Sequence, residues 1–200
     1  MRCGVKQIGV FLLALILLLS LAAASYSEGN QRGGRGGGDM QLLNQGIAYL
    51  TGEGTEQDYE KALDIFQQAY NANNKKAARY LGIIYEHGLG VEQDYKKATE
   101  YYAIGVENGD LTSYYYLGLL YEQGLGVEQD YEKAAELFAA IAGSDNKSAT
   151  GVVAAGYELG TLYEQGLGVE KDLDRAIELY QEAAQYENED AIQALARLTE

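Results

Sequence analysis

The sequence predicts an all-α fold, a solenoid of four antiparallel helix pairs followed by a C-terminal capping helix. A motif of about 36 residues recurs four times between residues 40 and 190. Within each copy, apolar residues fall at the three- and four-residue spacing of a helix face. Glycines and aspartates stand where helices are expected to end and begin. Because one helix pair cannot cover its own apolar face, the pairs are expected to stack in series.

Residues 1–24 have the features of a secretory signal peptide. Arg2 and Lys6 precede an apolar run from Ile8 to Ala24, which ends in three alanines. This pattern predicts cleavage after Ala24 and a secreted or periplasmic protein. The run has 17 residues, at the short edge of a bilayer span, so an uncleaved membrane anchor is the alternative.

Residues 25–39 are predicted to form a flexible linker. The segment is rich in glycine and has almost no large apolar side chains. Such a composition cannot bury enough surface to offset the entropy lost on ordering. The folded region is therefore expected to occupy residues 40–200.

One glycine marks the register of every repeat, and we call it the register glycine. It stands at Gly46, Gly82, Gly118 and Gly160. The spacings of 36, 36 and 42 residues predict a six-residue insertion in the third unit. The expected units are residues 41–76, 77–112, 113–154 with an inserted loop at 143–151, 155–190, and a cap at 190–200. If the exporting cell glycosylates its proteins, Asn146 in this loop begins the acceptor triplet Asn-Lys-Ser.

The first helix of a unit carries one apolar stripe. In the second unit the stripe consists of Ala77, Leu81, Ile84 and Tyr85. Gly82 lies inside this helix, where glycine costs about 1 kcal/mol relative to alanine. Its recurrence predicts that a neighbouring helix approaches too closely for a Cβ atom. Gly88 is expected to end the helix in left-handed conformation.

The second helix of each unit begins after an aspartate expected to cap its N-terminus. These aspartates are Asp58, Asp94, Asp130 and Asp172. In each second helix, the apolar stripe combines small or aliphatic residues with an aromatic residue, and the second unit has two, Tyr101 and Tyr102. The stripes are Ala62, Ile65, Phe66, Ala69; Ala98, Tyr101, Tyr102, Gly105; Ala134, Leu137, Phe138, Ile141; and Ala176, Leu179, Tyr180, Ala183.

The spaced pattern A-x-x-x-L-G-x-x-Y-x-x-G-x-G-V-x-x-D-x-x-K-A, from Ala77 to Ala98, closely resembles the Sel-1-like repeat, a relative of the tetratricopeptide repeat. The resemblance covers about residues 40–198, and the first unit departs most, with Thr55 in place of valine. It implies a right-handed α-solenoid. It also implies an adaptor that holds other proteins, often in secretory or envelope pathways.

Composition excludes several classes of function. The formal net charge of −15 argues against a nucleic-acid partner, because such binding needs clustered Lys and Arg. One Cys and one His cannot form a zinc site, and we expect neither a metal nor a cofactor. No residue is predicted to be catalytic: His87 is the only histidine, and it aligns with Thr51, Gln123 and Gln165 in the other units. A glycan or cell-wall hydrolase using paired carboxylates is the enzymatic alternative.

The candidate partner-binding residues lie on the first helices, opposite the apolar stripe. Three rows are counted from the register glycine, at positions −3, −2 and +4. The predicted site residues in these rows are Arg79, Tyr80, Tyr115, Tyr116, Tyr157, Glu86, Glu122 and Glu164. First helices are expected to line a concave surface, and Tyr and Arg are enriched at binding hot spots.

The sequence therefore predicts a non-catalytic scaffold that recognises a protein or peptide on the concave face of the solenoid. The acidic row favours a basic partner. The first alternative is a membrane-anchored assembly factor that keeps residues 8–24. Contact with the membrane is expected only in that form.

Overall fold

The computed structural model describes residues 37–149 and 151–199 of the chain. The predicted signal peptide and residues 25–36 of the predicted linker lie outside the described residues. Helices are the only regular elements in the described ranges. They are α1 (Gly37–Thr51), α2 (Tyr59–Asn71), α3 (Ala77–His87), α4 (Tyr95–Glu107), α5 (Leu111–Gln123), α6 (Tyr131–Ala142), α7 (Val152–Gln165), α8 (Leu173–Ala184) and α9 (Glu189–Thr199).

The helices follow the predicted order, four pairs and a final helix, and the fold is an all-α solenoid. Helix α1 begins at Gly37, inside the segment predicted as linker. The chain divides into two compact units, with the boundary between Ala77 and Ala78. No helix in the described ranges has both the length and the apolar character needed to cross a membrane.

The first compact unit contains α1 and α2, which pack through the register glycine. A Cβ atom on Gly46 would lie 2.6 Å from the ring of Phe66. The same contact recurs in the second compact unit, where a Cβ atom on Gly82, Gly118 or Gly160 would lie 2.5 to 2.7 Å from the ring of Tyr102, Phe138 or Tyr180. The prediction of close approach is confirmed, and the approaching group is the aromatic ring of the second helix. Glycine is kept because the ring occupies the space of a side chain.

Aspartate caps every second helix, as predicted. The carboxylates of Asp58, Asp94, Asp130 and Asp172 accept hydrogen bonds from the backbone N–H three residues later. Such a cap satisfies a donor that the helix itself cannot pair. At the other end of the first helices, Gly88, Gly124 and Gly166 have φ between +64° and +72°, the left-handed conformation expected there.

A second glycine, two residues after the glycine that ends the first helix, explains part of the stacking between pairs in the second compact unit. A Cβ atom on Gly126 would collide with the backbone of Tyr95 and Lys96 at the start of α4. Gly168 bears the same relation to Tyr131 and Glu132 at the start of α6. The turn of one pair therefore contacts the N-terminus of the second helix of the preceding pair, backbone against backbone.

The apolar stripes form the core, with two half-buried exceptions, Tyr85 and Tyr101. The predicted stripe residues of α2, α6 and α8 are buried. In α4, Ala98, Tyr102 and Gly105 are buried, whereas Tyr101 is only half-buried and stacks on Tyr85, with ring centroids 5.7 Å apart. Three residues separate α4 from α5, and nine separate α6 from α7, so the third pair has six extra connecting residues.

Candidate functional site

All eight predicted partner-binding residues lie in the second compact unit, on the first helices α3, α5 and α7. Helices α5 and α7 contact each other directly. The N-terminus of α5 is joined to α3 through an ion pair between Arg79 and Asp110, with Nη1 and Oδ2 3.0 Å apart. We call the face of α3, α5 and α7 that carries these residues the first-helix surface.

Arg79 and Tyr80 are engaged in contacts within the chain. The Arg79 guanidinium also donates to the Tyr80 hydroxyl at 2.8 Å and lies over its ring, 4.6 Å from the centroid. Asp110 is in turn the N-cap of α5 and accepts from the backbone of Ser113. Tyr80 is only 6% exposed, so little of its ring is accessible to a partner.

Tyr115 and Tyr116 are half-buried and form part of an aromatic row. The ring of Tyr116 stacks on that of Tyr102, with centroids 5.3 Å apart, and is 5.4 Å from that of Tyr115. The Tyr115 ring lies 6.2 Å from that of Phe138. It also packs against the backbone of Gly151, because a Cβ atom there would lie 2.5 Å from the Tyr115 side chain.

Tyr157 extends the aromatic surface onto α7. It is half-buried, and its ring lies 5.6 Å from that of Tyr180 on α8. Tyr115, Tyr116 and Tyr157 thus pack on second-helix aromatic residues while each stays partly exposed. Partly exposed, conformationally fixed aromatic rings are suited to protein recognition because little entropy is lost on binding.

Two of the three predicted glutamates accept a hydrogen bond from a second-helix tyrosine. The Tyr102 hydroxyl donates to Glu86 at 2.6 Å, and the Tyr180 hydroxyl donates to Glu164 at 2.9 Å. Arg197 of α9 also binds Glu164 through both carboxylate oxygens, at 2.7 and 2.8 Å. The hydrogen bond from Arg197 is the main reason that the pKa of Glu164 is lowered, whereas burial raises the pKa of Glu86.

Glu122 differs from the other two glutamates. Within the described part of the chain, its carboxylate has neither a hydrogen-bond nor an ion-pair partner. Burial raises its pKa. The aromatic residue of the second helix in the same pair, next to Gly118, is Phe138, which has no hydroxyl to donate.

Glu158 is a further candidate that was not among the predicted site residues. It occupies position −2 on α7, where the two preceding units have tyrosine. Burial, the charge of Glu122 and the charge of Asp190, in that order, raise the pKa of Glu158 to about 7. The signal in the sequence was a glutamate two residues before the register glycine, at the position where the second and third units have tyrosine.

Tyr115 lies in the electrostatic field of these acids. Its pKa is raised by burial first and then by Glu158, Tyr116, Glu122 and Glu86. The region between α5 and α7 therefore combines an aromatic ring with two half-buried carboxylates, and we call Tyr115, Glu122 and Glu158 the α5–α7 site. In residues 37–149 and 151–199, no three His, Cys, Asp or Glu side chains come together as a group suited to hold a metal ion.

Comparison with known proteins agrees with the repeat pattern. The Sel1 repeat profile matches residues 45–74, 75–110, 112–143 and 153–185, well over half of the chain. Among curated proteins, none matches the sequence.

Two solved structures are similar to the chain over 80% of its length, each with 28% identity and a TM-score of 0.69. One is c5321, a protective antigen of uropathogenic Escherichia coli strains that displays an SLR fold, of which the chain covers 33%. The other is a Sel1 repeat protein from Oxalobacter formigenes, of which it covers 62%. The chain thus spans less than two thirds of both proteins.

Proposed function

The chain belongs to the Sel1 repeat family, and on this premise we propose that it is a non-catalytic scaffold that binds a protein partner on the first-helix surface. Sel1 repeat proteins are generally protein-interaction scaffolds. The observation that carries the proposal is the series of half-buried tyrosines, Tyr115, Tyr116 and Tyr157, flanked by the carboxylates of Glu122 and Glu158. The proposed partner is basic, because the face it meets carries uncompensated negative charge.

The proposed mechanism is recognition without chemistry. The rings of Tyr115 and Tyr157 are held by Phe138 and Tyr180, so their positions are fixed before a partner arrives. A preformed surface loses little conformational entropy on binding. Aromatic rings of this kind are the residues that most often dominate the energy of a protein interface.

The proposed compartment is the periplasm or the cell exterior, reached through a signal peptide cleaved after Ala24. This part of the proposal rests on the sequence of residues 1–24 alone. Sequencing the N-terminus of the protein from its own host tests it. A mature chain beginning at Ser25 supports export, and a chain beginning at Met1 supports the membrane-anchored alternative.

Partner capture from the native extracellular or periplasmic fraction tests the binding surface. The informative variant is Tyr115→Ala with Tyr157→Ala, because Tyr80 is buried and Tyr116 stacks on the buried Tyr102. Recovery of the partner is expected to fall at least about tenfold, as for loss of a hot-spot pair. The matched control is Tyr95→Ala with Tyr131→Ala, which removes two half-buried tyrosines at the starts of second helices.

Both variants must retain the helical circular dichroism and the cooperative unfolding of the wild type. Equal recovery by the wild type and the Tyr115/Tyr157 variant would exclude this surface as the binding site. For the hydrolase alternative, Glu122→Gln is the relevant variant: turnover of a glycan or cell-wall substrate that disappears in it would contradict a purely binding function.

A further inference from the structure

In three of the four repeats, the residue at position +4 matches the chemistry of the second-helix aromatic residue. Glu86 is matched with Tyr102, and Glu164 is matched with Tyr180, and each pair forms a hydrogen bond. In the first repeat, position +4 is Leu50 and the aromatic residue is Phe66. A carboxylate is thus matched with a hydroxyl and an apolar residue with an apolar ring, as the cost of burying an unpaired polar group requires.

The third repeat breaks this rule. Its aromatic residue is Phe138, yet position +4 is Glu122. The carboxylate is half-buried, burial raises its pKa, and no described residue supplies a donor or a cation to it. Packing within the fold therefore does not account for a glutamate at this position.

The fourth repeat shows which group a glutamate at position +4 binds. Arg197 forms two parallel hydrogen bonds with Glu164, at 2.7 and 2.8 Å. Helix α9 is equivalent to a first helix, because Asn188 accepts from the N–H of Ala191 as Asp110 accepts from that of Ser113. Aligned in this way, Arg197 stands one residue after the register position.

The chain does not provide this guanidinium to Glu122. The residue of α7 that corresponds to Arg197 is Thr161, one residue after Gly160. Its hydroxyl lies 3.2 Å from both the carbonyl oxygen of Tyr157 and the hydroxyl of Tyr180. Helix α7 instead presents Glu158, whose charge is repelled by that of Glu122.

We propose that the α5–α7 site receives an arginine side chain of the protein partner, in the role that Arg197 has toward Glu164. The guanidinium would bind the carboxylates of Glu122 and Glu158 and lie against the ring of Tyr115. A planar guanidinium suits this arrangement because it pairs bidentately with carboxylates and stacks on aromatic faces. The inference rests on the proposed function and specifies the chemistry by which the partner is recognised.

The first test uses a probe of the proposed chemistry and needs no knowledge of the partner. N-acetyl-arginine amide is titrated into the protein at pH 8, and backbone amide shifts are followed by NMR. Saturable shifts are expected at α5 and α7 around the site. N-acetyl-citrulline amide, which has nearly the same shape and no charge, is expected to cause none there.

Two variants and a matched control assign the binding to the two carboxylates. Glu122→Gln and Glu158→Gln are each expected to weaken binding of the arginine probe at least about tenfold, as for one charged hydrogen bond. Glu128→Gln removes the same charge from an exposed position in the turn after α5 and is expected to leave binding unchanged. Equal binding by the wild type and both site variants, equal shifts with citrulline, or no saturable shift at α5 and α7 would overturn the inference.

A second test supplies the guanidinium within the chain. Thr161→Arg places an arginine at the position that Arg197 occupies in α9 and is expected to lower the pKa of Glu122, measured by carboxyl NMR, and to prevent probe binding. An unchanged pKa of Glu122 in a folded variant would overturn the inference. The two proposals can fail separately. If the arginine probe binds but recovery of the partner does not depend on Tyr115 and Tyr157, only the scaffold proposal is contradicted.

Discussion

At the scale of single residues, the clearest feature is the pairing of a glutamate with the tyrosine beneath it. Half-burial removes water from the carboxylates of Glu86 and Glu164, and the hydroxyls of Tyr102 and Tyr180 replace part of that hydration. Hydrogen bonds to charged groups of this kind contribute about 1.5 to 3 kcal/mol. The tyrosine therefore has two roles, since its ring also fills the space above the register glycine.

The missing hydroxyl in the third repeat leads to a stability prediction. Phe138→Tyr is expected to raise the free energy of unfolding by about 1 kcal/mol, because the new hydroxyl can donate to Glu122. The ring position already suits a tyrosine, since Phe138 and Tyr102 lie equally close to their register glycines. The converse change Tyr102→Phe is expected to lower stability by about 1 to 2 kcal/mol. Urea unfolding measures both, and a loss of stability in Phe138→Tyr would contradict the pairing argument.

The raised pKa of Glu158 predicts that the stability of the fold depends on pH. The pKa of Glu158 is raised from 4.5 to about 7, so the fold favours the protonated carboxyl. Its contribution to stability is full below pH 4.5 and is lost as the pH rises through 7. Glutamine cannot ionise, so the Glu158→Gln variant does not lose stability in this way as the pH rises.

The variant is therefore expected to gain stability relative to the wild type between pH 5 and pH 8. The gain is at most about 3 kcal/mol, because one pKa unit corresponds to about 1.4 kcal/mol and the exposed edge reduces the effect. Urea unfolding at the two pH values measures the difference, with Glu128→Gln as control. If the free energies of unfolding of Glu158→Gln and the wild type differ by the same amount at pH 5 and pH 8, the raised pKa of Glu158 is contradicted.

At the scale of elements, α7 contains two glycines with opposite roles. The register glycine, Gly160, lies under the ring of Tyr180, and a Cβ atom there would be 2.7 Å from a ring carbon. Gly156 is one turn earlier in the same helix, is buried, and has no atom within 4 Å of the position of its missing Cβ apart from its chain neighbours and the backbone of its own helix. It lines an open cavity beside the inserted loop, together with Val152, Leu179 and Ala183.

Alanine at these two positions is expected to have opposite effects. Gly156→Ala should raise the free energy of unfolding by about 0.5 to 1 kcal/mol, because the unfolded chain loses freedom and the cavity accepts the methyl group. Gly160→Ala should lower it by about 1 to 3 kcal/mol, because the Tyr180 ring must move. Chemical denaturation of the two variants tests both, and destabilisation by Gly156→Ala would show that the cavity cannot take a methyl group.

At the scale of the whole molecule, the proposal of a basic partner rests on the charge of the chain. The chain has 30 acidic and 15 basic side chains, for a formal net charge of −15. Several basic residues of the described part are bound within the chain, as Arg79 is to Asp110 and Lys147 is to Glu182. The carboxylates of the α5–α7 site have no such partner there, and this is the basis for proposing a basic partner at this surface.

This charge predicts that capture of the partner depends on salt. At 0.5 M NaCl the screening length falls to about 4 Å, from about 10 Å at 0.1 M, so long-range attraction of a basic partner is lost. Association of the partner is expected to slow at least about tenfold between these conditions, with a smaller change in dissociation. Surface-binding kinetics measure both rates, and association that is independent of salt would contradict a basic partner.

How much of the site the sequence predicts depends on the residue. The rows at positions −3, −2 and +4 can be read from the register, and they do bring Tyr115, Glu122 and Glu158 onto neighbouring helices. The same rows could not show that Glu164 has hydrogen-bond partners and Glu122 has none in the described part of the chain. That difference depends on Arg197, which is 33 residues after Glu164, and on the Tyr180 hydroxyl, which Phe138 lacks. Nor could they indicate that Tyr80 is 6% exposed while Tyr115 is half-buried.

The sequence by itself determined the helix pairs, their order and their ends. These are local properties: apolar spacing selects a helix face, Asp130 and its equivalents pair with N–H groups three residues away, and Gly88 adopts a positive φ that other residues resist. Only the tertiary structure decided which side chains are already used within the fold. Whether a carboxylate is satisfied depends on donors from other helices, and the distances that fix those contacts arise when the pairs pack.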